Sequence, residues 1–464
     1  MLSNDVYVII MAAGEGTRMK SQLPKVLHRV CGRPMIDYVL EGASVVSDNL
    51  PILVIGHGSD EVVAHIGDRA LYVKQEERLG TGHAVKMAAP YIEGKEGYVV
   101  ILAGDTPLVR GETLKSMVEY TKDGNYSAVA LSAKVDDATG YGRIIRTANG
   151  DFDRIVEHRD ATQAERRINE INASMYCFRI DSLLSSLGSL SSDNAQGEYY
   201  LTDVLSILKN RGESIGIYCL DDYTEILGVN TRKQLSDADS IMRNRINEYH
   251  MENGVTIIDP QTTYISPTVN IGQDTIIYPG NVLEGNTSIG KSCILYSNNR
   301  IYDSTIGDEV TVESSVILES TVGDGTNIGP FAYVRPGSAI GDNVKIGDFV
   351  EIKNSQIGAG TKISHLSYVG DATIGQNVNV GGGVIFVNYD GYVKHRTNVG
   401  DNAFIGCNVN LIAPVTVDDN TFIAAGSTIT EYVPEDALAI ARSKQINKEG
   451  WVSKRREKKA QEKD

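Results

Sequence analysis

From Val255 to Thr430 the apolar positions keep a short rhythm, an aliphatic residue followed by glycine: Ile271-Gly272, Ile289-Gly290, Ile306-Gly307, Val322-Gly323, Ile328-Gly329, Ile340-Gly341, Ile357-Gly358, Ile374-Gly375 and Val399-Gly400 among them. Many of the gaps are six residues or multiples of it. In each unit one aliphatic side chain points inward while small or polar residues turn the corner, so that stacked coils bury a continuous column. The pattern predicts a left-handed parallel β-helix of hexapeptide repeats, a prism with three flat faces.

The first half has no such period. Buried-strand runs alternate there with helical stretches: Val6–Met11, a helix near Met35–Ala43, Ile52–Ile55, Leu71–Val73, a helix near Gly82–Ala89, then Tyr98–Leu102. This order predicts an α/β, Rossmann-like unit with a mainly parallel sheet, whose ligands bind beyond the carboxyl ends of the strands. The apolar spacing of Leu235, Ala238, Ile241, Met242, Ile246 and Tyr249 suits an amphipathic helix. The expected division is therefore an α/β domain over 1–230, a linker helix over 231–252, a β-helix over 253–446 and a charged tail over 447–464, disordered from Lys454 onward.

Composition narrows the function. Among 464 residues, 44 basic against 60 acidic ones leave a net charge of −16, which argues against nucleic acid or an anionic membrane as the main partner. A phosphorylated substrate must then be captured locally. The five cysteines form no C-x-x-C pair, and no stretch is apolar enough to span a bilayer; a reducing cytoplasm is the expected location.

Two loops follow predicted strands and carry chemistry. The first, MAAGEGTRMKSQLPK from Met11 to Lys25, offers Gly14 and Gly16 for close backbone approach to a phosphate, with Arg18 and Lys25 as cations beside that cradle. It lacks the Gly-Lys-Ser/Thr of a Walker A loop. The second, LAGDTPL, places Asp105 after the strand Tyr98–Leu102. A lone carboxylate there suits magnesium, which takes one or two protein oxygens and completes its shell with water and phosphate; Asn230 is a candidate partner.

These motifs, with Q-x-x-x-x-G-T-G-H-A from Gln75 to Ala84, resemble a sugar-nucleotide pyrophosphorylase joined to a hexapeptide acyltransferase. More narrowly, the chain resembles, over nearly its whole length, the bacterial family of bifunctional N-acetylglucosamine-1-phosphate uridyltransferases/glucosamine-1-phosphate N-acetyltransferases. The resemblance implies a magnesium-dependent homotrimer acting on UTP, N-acetylglucosamine-1-phosphate, glucosamine-1-phosphate and acetyl-CoA, and feeding cell-wall precursor synthesis. It implies UTP contacts at Ala12, Ala13, Gly14 and Lys25, with uridine read by Gln75, Gly80 and Thr81. The Gln75 amide can both donate and accept, as a uracil edge requires. Gly142, Glu157 and Asn172 would hold the sugar, and Asp105 and Asn230 the metal.

In the second half, VNYDG from Val387 to Gly391 and the KHR after it interrupt the repeat, and such a break in a solenoid is often where function is built. The resemblance makes His365 the general base for the sugar amine, a role suited to imidazole. It gives Arg335 and Lys353 the sugar phosphate, Tyr368 and Asn379 the sugar, and Asn388 and Tyr389 the thioester. Coenzyme A would lie near Gly382, Cys407, Ala425 and Arg442. At position 384 a valine stands where many relatives carry Thr or Ser, and a hydroxyl is lost. Cys407 also admits the alternative of a catalytic thiolate. Two other readings compete: a pyrophosphorylase whose β-helix is only regulatory, and a regulatory subunit without sugar chemistry.

Overall fold

In the computed structural model, residues 5–56 and 58–462 are described. The chain forms two compact units, Met1–Ile246 and Asn247–Asp464.

The first unit is built on a nine-stranded sheet. Its strands are β1 (Val6–Ala12), β2 (Ile52–Ile55), β3 (Leu71–Lys74), β4 (Tyr98–Ala103), β5 (Ala128–Lys134), β6 (Arg143–Arg146), β7 (Phe152–Val156), β8 (Glu170–Arg179) and β9 (Ile215–Leu220). The main order is β9-β5-β8-β4-β1-β2-β3, with β6 and β7 as a hairpin attached to β8. Pairing is parallel from β4 through β1 and β2 to β3, while β8 runs antiparallel to both its neighbours. The expected mainly parallel sheet is present.

Period-2 alternation puts the sheet between two helical layers. On one face Val8 and Ile10 of β1 pack with Ile36 and Val39 of α1 (Met35–Val46) and with Leu114 and Met117 of α4 (Gly111–Asp123). On the other, Ile9 packs with Val85 and Ala88 of α3 (Thr81–Ala88), Leu183 of α5 (Ile180–Leu187) and Leu205 of α6 (Asp203–Asn210). Each aliphatic side chain buried this way contributes about 1.5–3 kcal/mol. Because β1, β3 and β4 run in the same direction, the loops after Ala12, Lys74 and Ala103 open at one edge.

The second unit is a left-handed parallel β-helix of three sheets with eleven, ten and nine strands. One face shows the inward column plainly: Leu295, Val312, Ile328, Ile346 and Ile363 follow one another in register, all nearly fully buried. The Ile-Gly signal has a steric cause. A Cβ on Gly358 would overlap the carbonyl group of Gly375 in the next coil, so the chain closes that corner only without a side chain. The Asp that often follows stitches neighbouring coils together. Asp324 and Asp342 each accept the backbone N–H of the preceding coil's Asp, Asp308 and Asp324 respectively, at 2.7 and 3.0 Å. Seventeen residues separate the register partners Lys362 and Asn379, but twenty-five separate Asn379 from Phe404; the excess is the loop around 388–396.

Two further helices bear on the expected boundaries. Arg232–Glu252 form one continuous helix, α7, and Trp451–Gln461 form another, α8. The second corrects the expectation of disorder from Lys454. Its sequence is rich in Lys, Arg, Glu, Ala and Gln, all strong helix formers, and Arg455 lies over the Trp451 ring at 5.1 Å. Among the described residues no helix is long and apolar enough to cross a membrane.

Candidate active sites, one in each unit

At the carboxyl edge of the first sheet lies a cleft of about 460 Å³. Its lining includes Ala12, Ala13, Gly14, Lys25, Gln75, Gly80, Thr81, Asp105, Gly142, Glu157, Asn172 and Asn230, so residues from distant parts of the sequence meet on one surface. The floor is polar and compact. Lys25 Nζ donates to Asp105 Oδ2 at 2.5 Å and to Asn230 Oδ1 at 3.1 Å, and Arg18 Nη2 donates to the same Asn230 oxygen at 2.9 Å. The segment carrying Asn230 is fixed to the Asp105 loop by Val229 N–H donating to the Asp105 carbonyl at 2.9 Å. Arg18 lies in an adjoining hollow with Glu157, His158 and Arg159.

Of the two glycines in the first loop, Gly16 is a steric necessity and Gly14 is not. Gly16 has φ 66°, and a Cβ on it would come 2.8 Å from Lys25 Cβ. A side chain there would push Lys25 off Asp105.

The part of the cleft around Glu157 is desolvated. Burial first, then the like charges of Asp160, Asp203 and Glu198, push the Glu157 carboxyl above the usual carboxylate range. Asn172 Nδ2 donates to the Tyr176 hydroxyl at 2.8 Å, which fixes the amide's orientation. Elsewhere in the cleft Gln75 Nε2 donates to the Gly80 carbonyl at 3.2 Å and lies 3.1 Å from His83 Nδ1. This modifies the expectation that Gln75 both donates and accepts: its amide nitrogen is committed to the loop, and the oxygen is what it has left to offer. Gly80 caps α3 with φ 103°, where a Cβ would meet the Tyr199 carbonyl at 2.6 Å. Of the N–H groups in the first turn of α3, that of Gly82 already donates to the Tyr199 carbonyl at 2.7 Å. Arg78, also lining the cleft and paired with Glu15 at 2.5 Å, escaped the sequence reading because it occupies an unconstrained position of the Gln75–Ala84 motif.

In the second unit the candidate residues gather in two columns along the prism. Arg335, Lys353, Asp371 and Asn388 occupy successive coils at one corner. Arg335 pairs with Glu351 at 2.7 Å, Lys353 lies 3.5 Å from Asp371, and Asn388 Nδ2 donates to Asp371 at 2.5 Å and to the Tyr368 hydroxyl at 3.3 Å. Contact with Lys353, and its like charge, push Lys394 below the usual lysine range. Lys394, from the interrupting loop, was not singled out by the sequence reading, although its KHR run was noticed.

The other column holds His365, Gly382, Cys407, Ala425 and Arg442. Gly383 N–H donates to the His365 carbonyl, Asn408 N–H to Gly382, and Gly426 N–H to Cys407, with the Arg442 side chain over Gly426. Cys407 is exposed. His365 Nδ1 is 2.5 Å from Asp348 Oδ1, its register partner one coil back. An ionised carboxylate can only accept, so His365 Nδ1 donates to Asp348, and this hydrogen bond holds Asp348 below the usual carboxylate range. The Nε2 lone pair is then free to take a proton. Asp348 was missed because Ile346-Gly347-Asp348 reads as an ordinary repeat unit; only the coil length reveals it.

Two residues sit apart from these columns. Asn379 pairs in register with Lys362 and Phe404, on a different face from Arg335 and Lys353. The Tyr389 hydroxyl donates to the Gly391 carbonyl at 2.7 Å and bends the interrupting loop back on itself. The Val384 side chain is wholly buried in the prism, so a hydroxyl at that position would point inward.

Residues 8–173 match the MobA-like NTP transferase domain, and residues 319–354 and 396–431 match the bacterial transferase hexapeptide repeat. The chain is 56% identical over 448 residues to the bifunctional protein GlmU of Clostridium botulinum (strain 657 / Type Ba4), covering 96% of this chain and 98% of that one. It is 55% identical to the protein of that name from Clostridium novyi (strain NT) and 54% identical to that from Clostridium acetobutylicum, with the same coverage.

Proposed function

The chain belongs to the family of the bifunctional protein GlmU, and from that premise we propose that it makes UDP-N-acetylglucosamine for cell-wall synthesis in two steps, one in each unit. Acetyl transfer comes first. His365 Nε2 takes a proton from the amine of glucosamine-1-phosphate, whose nitrogen attacks the thioester carbon of acetyl-CoA; the C–S bond breaks and coenzyme A leaves as its thiol. Asp348 keeps the imidazole in the useful tautomer and balances its charge once it is protonated. Arg335, Lys353 and Lys394 hold the sugar phosphate, and Tyr368 orients the ring. Coenzyme A follows the column from Gly382 past Cys407 to Ala425 and Arg442. No thiolate is needed at Cys407.

Uridylyl transfer follows in the cleft. A phosphate oxygen of N-acetylglucosamine-1-phosphate attacks the α-phosphorus of UTP, and the bond to the β-phosphate breaks to release pyrophosphate. Lys25 and Arg18 balance the charge gathering on the phosphate oxygens, while Glu157 and Asn172 hold the sugar in line. Asp105 Oδ2 and Asn230 Oδ1 both lie within 3.1 Å of one Lys25 nitrogen, so two hard oxygens already converge on a single positive charge. That donor set fits magnesium, which when bound would neutralise phosphate charge.

The observation that carries the reading is this convergence of Arg18, Lys25, Asp105 and Asn230 at the cleft floor. Purified protein should release pyrophosphate from UTP, magnesium and N-acetylglucosamine-1-phosphate, and should acetylate glucosamine-1-phosphate. Failure of the second alone would return the β-helix to a regulatory role.

The active assembly is a cytoplasmic homotrimer. Phe331, Phe349 and Leu366, each well exposed, form an apolar ridge beside His365, and Asn379 lies on a different face of the prism from Arg335 and Lys353. A neighbouring copy would cover the ridge, and Asn379 would serve that copy's site. Light scattering tests this, with a fully active monomer as the contrary result.

A further inference from the structure

The assignment of Gln75 as the reader of uracil leaves His83, in the same motif, without a role. We propose that His83 is a positioning residue for base selection: it locks the Gln75 amide so that only its oxygen is presented to the base. This rests on Gln75 being the uracil reader.

The orientation follows from an anchored acceptor. The Gly80 carbonyl is held by the first turn of α3, where it accepts the Ala84 N–H at 3.1 Å. A carbonyl can only accept, so the Gln75 atom 3.2 Å away is the amide nitrogen. The second hydrogen of that nitrogen points to His83 Nδ1 at 3.1 Å, which must accept and therefore carries its own proton on Nε2. Both amide hydrogens are consumed. Gln75 itself is fixed to the sheet by its backbone N–H, which donates to the Ile55 carbonyl at 2.8 Å. The free Oε1, in a residue that lines the cleft, is a pure acceptor.

Uracil offers a donor, N3–H, where cytosine offers a lone pair. A locked acceptor bonds the first and repels the second, and a site built on a buried polar group discriminates more strongly than an apolar one. An amide free to rotate would present its nitrogen to cytosine and lose the distinction. His83 supplies the second of the two hydrogen bonds that oppose rotation.

The test measures kcat/KM for UTP and for CTP in the uridylyl reaction of the full chain, for the wild type, His83→Phe, His83→Asn, Gln75→Ala and the double variant Gln75→Ala/His83→Phe. His83→Phe should lower the UTP:CTP ratio about tenfold, mainly through KM. His83→Asn, which retains an acceptor, should restore part of it. The double variant should match Gln75→Ala, since His83 acts only through that amide. Unchanged discrimination in Gln75→Ala would overturn the uracil-reading role itself. A lowered ratio in Gln75→Ala with a wild-type ratio in His83→Phe would overturn the locking role alone, as would additive effects in the double variant.

Discussion

The two sites solve opposite problems. In the α/β unit, charged groups are gathered into a cleft and neutralise one another before any substrate arrives: Lys25 is held by Asp105 and Asn230, with side chains only 13% and 16% exposed for the Lys25–Asp105 pair. In the β-helix the working groups stand on ridges. The His365 side chain is 62% exposed and that of Asp348 37%. A cleft withdraws charges from water by folding; a ridge leaves that to whatever covers it. Preorganised charge is therefore intrinsic to the first unit, whereas the working groups of the second stand in water until something covers them. The comparison also fixes what each residue is asked to do. Phosphoryl chemistry needs position and charge balance but no protein nucleophile, and amide formation needs a base.

The largest effect should come from Asp105→Asn. Losing the one carboxylate at the cleft floor removes several kcal/mol of charge stabilisation, roughly 10³–10⁴-fold in uridylyl transfer, while acetyl transfer stays near wild type. Equal losses in both assays would mean that the two sites are not independent. His365→Ala should cut acetyl transfer by about 10²–10⁴-fold with uridylyl transfer unchanged. A folded His365→Ala protein with wild-type acetylation would leave Tyr368 or water as the base.

Lys25→Ala and Arg18→Ala should each cost about 2–4 kcal/mol of transition-state stabilisation in uridylyl transfer. Steady-state kinetics at wild-type level for either would reduce that residue to a surface cation. Asp348→Asn should slow acetylation about tenfold, because the imidazole remains but its tautomer is no longer enforced.

The smallest effect is on stability and separates the cleft from the ridge most finely. Glu157 has its proton affinity raised in the folded state, so its ionisation opposes folding above that raised value, and the penalty disappears as pH falls and the carboxyl is protonated in folded and unfolded chains alike. Glu157→Gln should raise the melting transition of the α/β unit by roughly 2–4 °C at neutral pH, with the gain closing as pH is lowered. A gain that does not vary with pH would contradict the burial argument.

Much of this was legible in the sequence, for identifiable reasons. The Ile-Gly rhythm reports a contact between successive coils that forbids a Cβ, so each repeat announces the same geometry. The strands at Val6, Ile52 and Tyr98 lie within the sheet and read as largely unbroken apolar runs, while the one at Leu71 is its edge. Asp348, Lys394 and Arg78 were not legible. Asp348 reaches His365 across one coil, Lys394 reaches Lys353 by a loop that folds back, and Arg78 reaches the cleft by the path of its loop. The Gln75 commitment was hidden too, because it depends on a backbone carbonyl that any residue at position 80 would carry. The tail was misread because charge alone does not prevent a helix when the residues are good helix formers.

The central claim is that the two units carry separate chemistries. Asp105→Asn and His365→Ala should be purified as full chains and each assayed for both half-reactions side by side. The account predicts a crossed result: Asp105→Asn acetylates and does not uridylylate, His365→Ala uridylylates and does not acetylate, and an equal mixture of the two restores synthesis of UDP-N-acetylglucosamine from glucosamine-1-phosphate, acetyl-CoA and UTP. Loss of both activities in either folded variant would contradict it.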